Sequence, residues 1–225
     1  MTDREGGAAT RAGAEAGPRA RAAGTGHRAA RTGRPPLTER RKAATRREIA
    51  VEAVRLFGAQ GVAATSGDDI ARAAGISTRT LWRYFPSKEH CVKPLLALGL
   101  ERAIAQLGNW PADRPLAEAI AGQDPDGGAE EAGLTKQLIT MAIEEPALHA
   151  VWLETHHEAE EVFAEFVAAR TGRAVDELAV RVQAVIMNGA MRVGAEHWAR
   201  GGDDRRTHEE ALRAALRSAL EGLGD

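Results

Sequence analysis

One cysteine, Cys91, occurs in 225 residues, so an intramolecular disulfide is excluded and that side chain is left to packing or to a reactive thiol. The chain has no apolar run long enough to cross a bilayer and no cleavable leader pattern, so the expected compartment is the cytoplasm, with no membrane partner. Aromatic residues make up only 4% of it, so a core must be assembled from Leu, Val, Ile and Ala, a composition that favours helices. Nowhere do apolar and polar residues alternate as a half-buried strand requires. There is no phosphate-cradling glycine loop, no nucleophile beside a base, and no Cys/His set spaced for zinc. His149, His156, His157 and Glu160 fall close together, but surface histidines are ordinary on an acidic helix. Neither metal, cofactor nor catalysis is expected.

The net charge of −2 conceals an asymmetry: residues 1–93 carry 18 Lys and Arg against 9 Asp and Glu, and residues 94–225 carry 12 against 23. A basic N-terminal part is the electrostatic footprint of a nucleic-acid binder, while an acidic remainder repels phosphate and also aids solubility. Residues 1–42 are rich in Ala, Gly and Arg, lack periodicity and contain Pro35-Pro36, which predicts a disordered basic tail. That tail is either a supplementary electrostatic contact to DNA or a dispensable extension.

The most informative stretch is Asp68 to Lys88, DDIARAAGISTRTLWRYFPSK, in which two short helical patterns flank Ala-Gly-Ile-Ser. Ser66 is placed to cap the first helix with Asp69 three residues on, and Ile70, Ala71 and Ala74 share one face. Gly75 supplies the left-handed residue that ends this helix, Ser77 caps the next, and Ile76 can staple onto Leu81. Leu81 and Phe85 lie four apart and turn inward, which leaves Thr78, Arg79, Thr80, Trp82, Arg83 and Tyr84 on the outer faces. Hydroxyl and guanidinium groups at the start of such a helix reach base edges in a major groove, and Tyr84 can donate to a phosphate. Arg83 reads equally as an ion-paired surface residue, and Trp82 as packing against a neighbouring domain. Pro86 stops the helix, Ser87 can cap another, and Lys88 at its start suits a phosphate. An amphipathic helix pair with glycine at the corner also occurs in helical proteins that never meet DNA.

At these positions the chain resembles the tetracycline-repressor (TetR) family of bacterial regulators. The matching text is Arg47-Glu48-Ile49, Ala53, Leu56-Phe57, Gly61, Asp69-Ile70-Ala71, Ala74-Gly75-Ile76-Ser77 and Thr80-Leu81-Trp82-Arg83-Tyr84-Phe85-Pro86-Ser87-Lys88-Glu89. Trp82 stands where the family most often has tyrosine, and Gly67 where it usually has an apolar residue. The resemblance implies an all-α protein with an N-terminal three-helix DNA-binding domain over 43–103, its helix-turn-helix at about 66–85, and a helical effector-binding and dimerisation domain over 104–225. It makes Thr45 and Arg46, with Ser66, Ser77 and the outer face of the reader helix, the expected DNA contacts.

Helix one is predicted over about Thr45 to Gln60, with Ile49, Ala53, Val54 and Phe57 inward. Helix four is predicted from Lys88 to Leu107, with Pro94 as a kink. Further helices are predicted at Pro115–Ala121, Glu130–Glu145, Pro146–Arg170, Ala174–Arg200 and Arg205–Leu223. The resemblance puts the dimer interface on the last two, through Val182, Val185, Ile186, Gly189 and Val193 with Leu212, Leu216 and Leu220, positions that also suit a monomer core. Trp110, Met141, His149, Trp152, Met187, Asn188, Met191 and Trp198 are the candidate effector pocket, against plain core packing. Asn188, inside an apolar run, needs a polar partner from an effector or a dimer contact. The expected partners are a double-stranded, near-palindromic operator, a second copy of the chain and a small-molecule effector that releases a repressor. A protein-binding adaptor and a small helical enzyme are the alternatives.

Overall fold

Capping signals determine where the chain turns. In the computed structural model, which describes residues 37–108, 111, 129–201 and 208–221, helix α1 spans Leu37–Gln60 and stops at Gly61, whose φ of 85° is the left-handed conformation that a side chain would strain. Helix α2 is Gly67–Ala73 and α3 is Thr78–Tyr84, joined through Gly75 at φ 66°. Phe85 is extended, as a residue before proline must be, and ends α3. A 3₁₀ turn at Glu89–Val92 leads into α4, Lys93–Gly108. Helices α5 (Ala129–Glu144), α6 (Pro146–Thr171), α7 (Leu178–Ala199) and α8 (His208–Glu221) complete an all-α architecture. Pro146 opens α6, where its missing N–H costs nothing, and Gly172 at φ 67° closes it.

Three boundaries differ from those expected. Helix α1 begins at Leu37 rather than Thr45, so the last residues of the basic segment expected to be disordered are helical. The helix predicted from Lys88 begins only at Lys93, after the 3₁₀ turn, and Pro94 therefore sits in the first turn of α4 instead of kinking its interior. Helix α7 starts at Leu178, not Ala174, because Glu177 turns back to accept from the Ala174 N–H at 3.0 Å. Helix α8 is described from His208, and its expected start at Arg205 lies outside the described residues. The helix predicted at Pro115–Ala121 lies outside the described residues, as does most of the basic tail.

One apolar core runs through the described helices. Ile49, Ala53, Val54 and Phe57 of α1 meet Ile70, Leu81 and Phe85 under the two short helices, and α6 packs its Phe163, Val167 and Trp152 toward α7. Leu81 is fully buried, worth roughly 1.5–3 kcal/mol for a side chain of this type. Gly194 lets α7 and α8 approach closely: a β-carbon there would stand 3.0 Å from Ala215 Cβ and 3.1 Å from the Leu212 Cα. Leu212 and Leu216 are buried within the single chain, as the monomer-core reading of these positions has it. The side chain of Leu220 lies outside what the structure describes.

Candidate nucleic-acid interface and ligand cavity

The corner between α2 and α3 is held by hydroxyls and carboxylates. Ser66 and Asp69 form a reciprocal capping box: the Asp69 N–H donates to Ser66 Oγ at 3.2 Å, and the Ser66 N–H to Asp69 Oδ2 at 3.0 Å. These bonds from Ser66, with Arg72 adding its guanidinium, hold the Asp69 carboxyl below its ordinary range. Ser77 caps α3 by accepting from the Thr80 N–H at 3.2 Å, and its hydroxyl lies 2.8 Å from that of Thr80. Thr78 Oγ1 donates to Asp68 Oδ1 at 2.6 Å and so ties the first turns of the two helices together. Ser66, Ser77, Thr78 and Thr80 thus all serve the corner itself. Arg79, Trp82 and Arg83 remain as the exposed side chains of α3.

Tyr84 joins this face to α1. The guanidinium carbons of Arg46 and Arg83 stand 5.8 and 5.5 Å from its ring centroid, and Thr45 precedes Arg46 on the same helix. The end of α3 and the middle of α1 therefore present their cations side by side. Trp82, 45% exposed, packs on Gly67 of α2 rather than on a neighbouring domain.

Lys88 departs from its expected part. Its ammonium donates to the carbonyls of Val62 at 2.7 Å and Thr65 at 2.8 Å, with Ala63 at 3.5 Å. The loop after α1 turns several carbonyls the same way, and a single lysine reaching back across more than twenty residues satisfies them. A phosphate would have to compete with these acceptors, so the geometry makes Lys88 a brace between the α1–α2 loop and the end of α3. Nothing in the spacing of the sequence signals this contact, because it is long-range.

The same holds for the link between α4 and α6. Lys93 donates to Glu154 at 2.7 Å and Glu158 at 2.8 Å, and His90 lies 3.2 Å from Glu154. Burial opposes the charge of Lys93, but hydrogen bonds to the two carboxylates outweigh it and leave its pKa above the ordinary lysine value. Cys91, in the 3₁₀ turn before α4, is buried, and burial with the nearby Glu89 carboxylate pushes its thiol up to about 12. Such a thiol is packing and not a reactive sensor.

Above the reader, α1, α4, α5, α6, α7 and α8 enclose a cavity of about 100 Å³. Its wall takes Arg47 and Val51 from α1 and a run from Leu95 to Ala103 of α4, and it includes Trp152, His156 and Met191. Trp152 and Met191 were foreseen there; His156 and Arg47 were not. The other candidates are elsewhere. Asn188 accepts from and donates to His156, which is neither of the partners expected for it, and Met187 is buried away from this wall. His149 donates to the Ala142 carbonyl at 3.0 Å, Met141 borders an open groove beside Gly58 and Gly61, and Trp198 lies 5.7 Å under the Lys136 ammonium. Trp110 lies outside the described residues.

His156 is the centre of a buried polar set. Its Nδ1 is 2.7 Å from Asn188 Oδ1, and its ring meets Trp152 edge-on at 4.3 Å between centroids. Trp152 Nε1 donates to Glu196 at 3.3 Å, and Arg192 donates to the same carboxylate oxygen at 2.7 Å. Burial dominates the titration of His156 and lowers its pKa, so the ring is neutral near pH 7. Among the described residues no group of three His, Cys, Asp or Glu is placed to hold a metal ion, and no helix is long and apolar enough to cross a membrane.

On the outer side of α7, Val182, Val185, Ile186 and Val193 are each about half exposed, with Gly189 open among them. These positions follow the i, i+3, i+4, i+7, i+11 spacing of one helical stripe. Leu178, more exposed still, lies one turn further toward the N-terminus and was not foreseen.

Residues 49–95 match the family model described as bacterial regulatory proteins, tetR family, and residues 115–224 match that of the MftR C-terminal domain. The chain is 32% identical over 200 residues to the HTH-type transcriptional regulator TcmR of Streptomyces glaucescens, covering 84% of this chain and 87% of that one. It is 31% identical over 187 residues to the putative mycofactocin biosynthesis transcriptional regulator MftR of Mycobacterium tuberculosis, covering 82% and 93%. In fold it is similar to the crystal structure of Thermus thermophilus FadR, a TetR-family repressor in complex with lauroyl-CoA, with a TM-score of 0.51 at 22% identity over 79% of this chain and 94% of that one.

Proposed function

Because the chain belongs to the TetR family of DNA-binding transcription regulators, we propose that it is a homodimeric repressor released from a near-palindromic operator when a small effector enters the cavity above its reader helices. In this reading residues 43–103 form the DNA-binding part and 104–225 the effector and dimer part. The observation that carries the reading is the cavity wall: α1, which supports the reader pair, and α4, which leads away from it, both line the space. A ligand that prefers a wider cavity moves α4 against α1 and shifts the spacing of the two reader helices, so operator affinity falls by population shift.

Arg79 and the exposed part of α3 would read base edges, with Arg46, Thr45 and Tyr84 on the backbone. Two reader helices of a dimer then address half-sites about one helical turn apart or somewhat more, roughly 34–36 Å. The apolar stripe of α7 from Val182 to Val193 supports the dimer, since it is the largest set of exposed aliphatic side chains on the described helices. The test is a mobility-shift titration with the DNA flanking the gene, followed by sequence selection from a random duplex library. A selected palindrome bound by two chains is the expected result, and absence of any preferred duplex removes the reading.

A further inference from the structure

Asn188 determines which nitrogen of His156 carries the proton. Its Nδ2 donates to the His156 carbonyl at 2.7 Å, which turns Oδ1 toward the ring at 2.7 Å from Nδ1. The opposite amide orientation would set Oδ1 against a carbonyl oxygen, two acceptors face to face. An amide oxygen only accepts, so Nδ1 carries the hydrogen and Nε2 of the neutral ring keeps its lone pair. That Nε2 is buried with no hydrogen-bond partner among the described residues, in a residue 4% exposed that lines the cavity. A buried acceptor left unmatched costs free energy, and the residue is fixed in place on both other sides, by Asn188 and by the edge of Trp152.

Resting on the reading of this cavity as the effector site, we infer that it takes a largely apolar ligand bearing one hydroxyl, which donates its hydrogen to Nε2 of His156. Much of the surrounding wall is aliphatic, with Leu96, Leu100, Leu138, Ile139 and Ala195, which suits hydrocarbon; Arg47, Arg102 and Thr135 also line it, each with an interaction of its own. A carboxylate on this nitrogen would meet a lone pair, with the Glu196 carboxylate close by on Trp152. A buried ammonium would find Glu196 already served by Arg192 and Trp152. The volume of about 100 Å³ is below that of the engineered apolar cavities of about 150 Å³ that take benzene, so a single aromatic ring would fit with a slight widening.

Phenol and toluene are the probes, since they differ by a hydroxyl for a methyl at nearly constant shape. Calorimetric titration of the full chain and of His156→Phe gives two affinity ratios, phenol over toluene. The expected ratio falls at least tenfold in the variant, through loss of phenol and gain of toluene. In parallel, nitrogen-15 spectra of histidine-labelled wild-type protein are expected to show an unprotonated Nε2 that shifts on adding phenol and stays put with toluene, a readout that needs no variant. If wild type binds both probes and the ratio is unchanged by the substitution, or if Nε2 already carries the proton, the His156 assignment fails while the cavity stands as a ligand site. If wild type binds neither probe, the cavity reading fails with it.

Discussion

The indole of Trp82 lies across Gly67, so that a β-carbon on Gly67 would overlap the ring. These are the two positions where the helix-turn-helix departs from its family's usual residues, and they are a matched pair: the larger ring on α3 rests where α2 has no side chain. The missing apolar side chain under α2 is replaced from above by the indole.

Gly67→Ala should therefore expel the indole. The stability cost is expected to be small, on the order of 1 kcal/mol or less, because a half-exposed ring can swing away. Combined with Trp82→Ala the alanine at 67 should become neutral or favourable, a coupling on the order of 1 kcal/mol in a urea-denaturation cycle. Additive effects in that cycle would mean the ring does not need the glycine.

Lys88→Met should destabilise the DNA-binding part by about 1–3 kcal/mol, because the Val62 and Thr65 carbonyls lose a charged donor. The salt dependence of operator affinity, measured at equal folded fraction, should keep its slope. A slope reduced by about one ion would instead mark Lys88 as a phosphate contact.

Arg79→Ala and Arg46→Ala should separate by kind. The first should flatten base preference within the half-site, by about 1–3 kcal/mol at the affected pair, and the second should weaken all duplexes alike while lowering the salt slope. Binding-site selection for each variant, repeated at two salt concentrations, makes the comparison. Equal loss on every sequence from both would refute the division of labour.

How far the sequence spoke can be judged from single residues. Ser66, Gly75, Ser77 and Pro86 act within three or four positions of themselves, so their caps and stops were legible, and so were Leu81 and Phe85 as the inward pair. The carbonyl partners of Lys88 were not legible because they lie more than twenty residues upstream, and no local pattern encodes a side chain bending back over a loop. Asn188 was rightly singled out as needing a partner, but the partner, His156, sits on another helix. Leu212 and Leu216 carry the same apolar stripe whether they face their own chain or a second copy, and the close approach of α8 at Gly194 that buries them is not written in that stripe.

His156 should make stability depend on pH. Its folded pKa is lowered by burial from the ordinary 6.5, so the unfolded chain takes up a proton first as pH falls, and that proton favours unfolding. The stabilising contribution is whole above pH 6.5 and is lost progressively below it. Urea midpoints between pH 7.5 and 5.5 should fall for the wild type and fall less for His156→Phe. Parallel curves for the two proteins would exclude His156 as the source.

Ile186→Glu, alone or with Val185→Glu, should leave the monomer fold intact, since both side chains are exposed, yet convert a dimer into monomers by sedimentation and cut operator affinity. An unchanged sedimentation coefficient would place the interface on another face.

The seclusion of Cys91 has a practical use. A chain whose sole sulfhydryl is sealed inside and protonated well above neutrality is silent toward maleimides, so a cysteine introduced at an exposed position of α3 would be labelled alone. If the chain pairs as proposed, spin labels placed this way would report the separation of the two recognition elements directly, without first stripping the background.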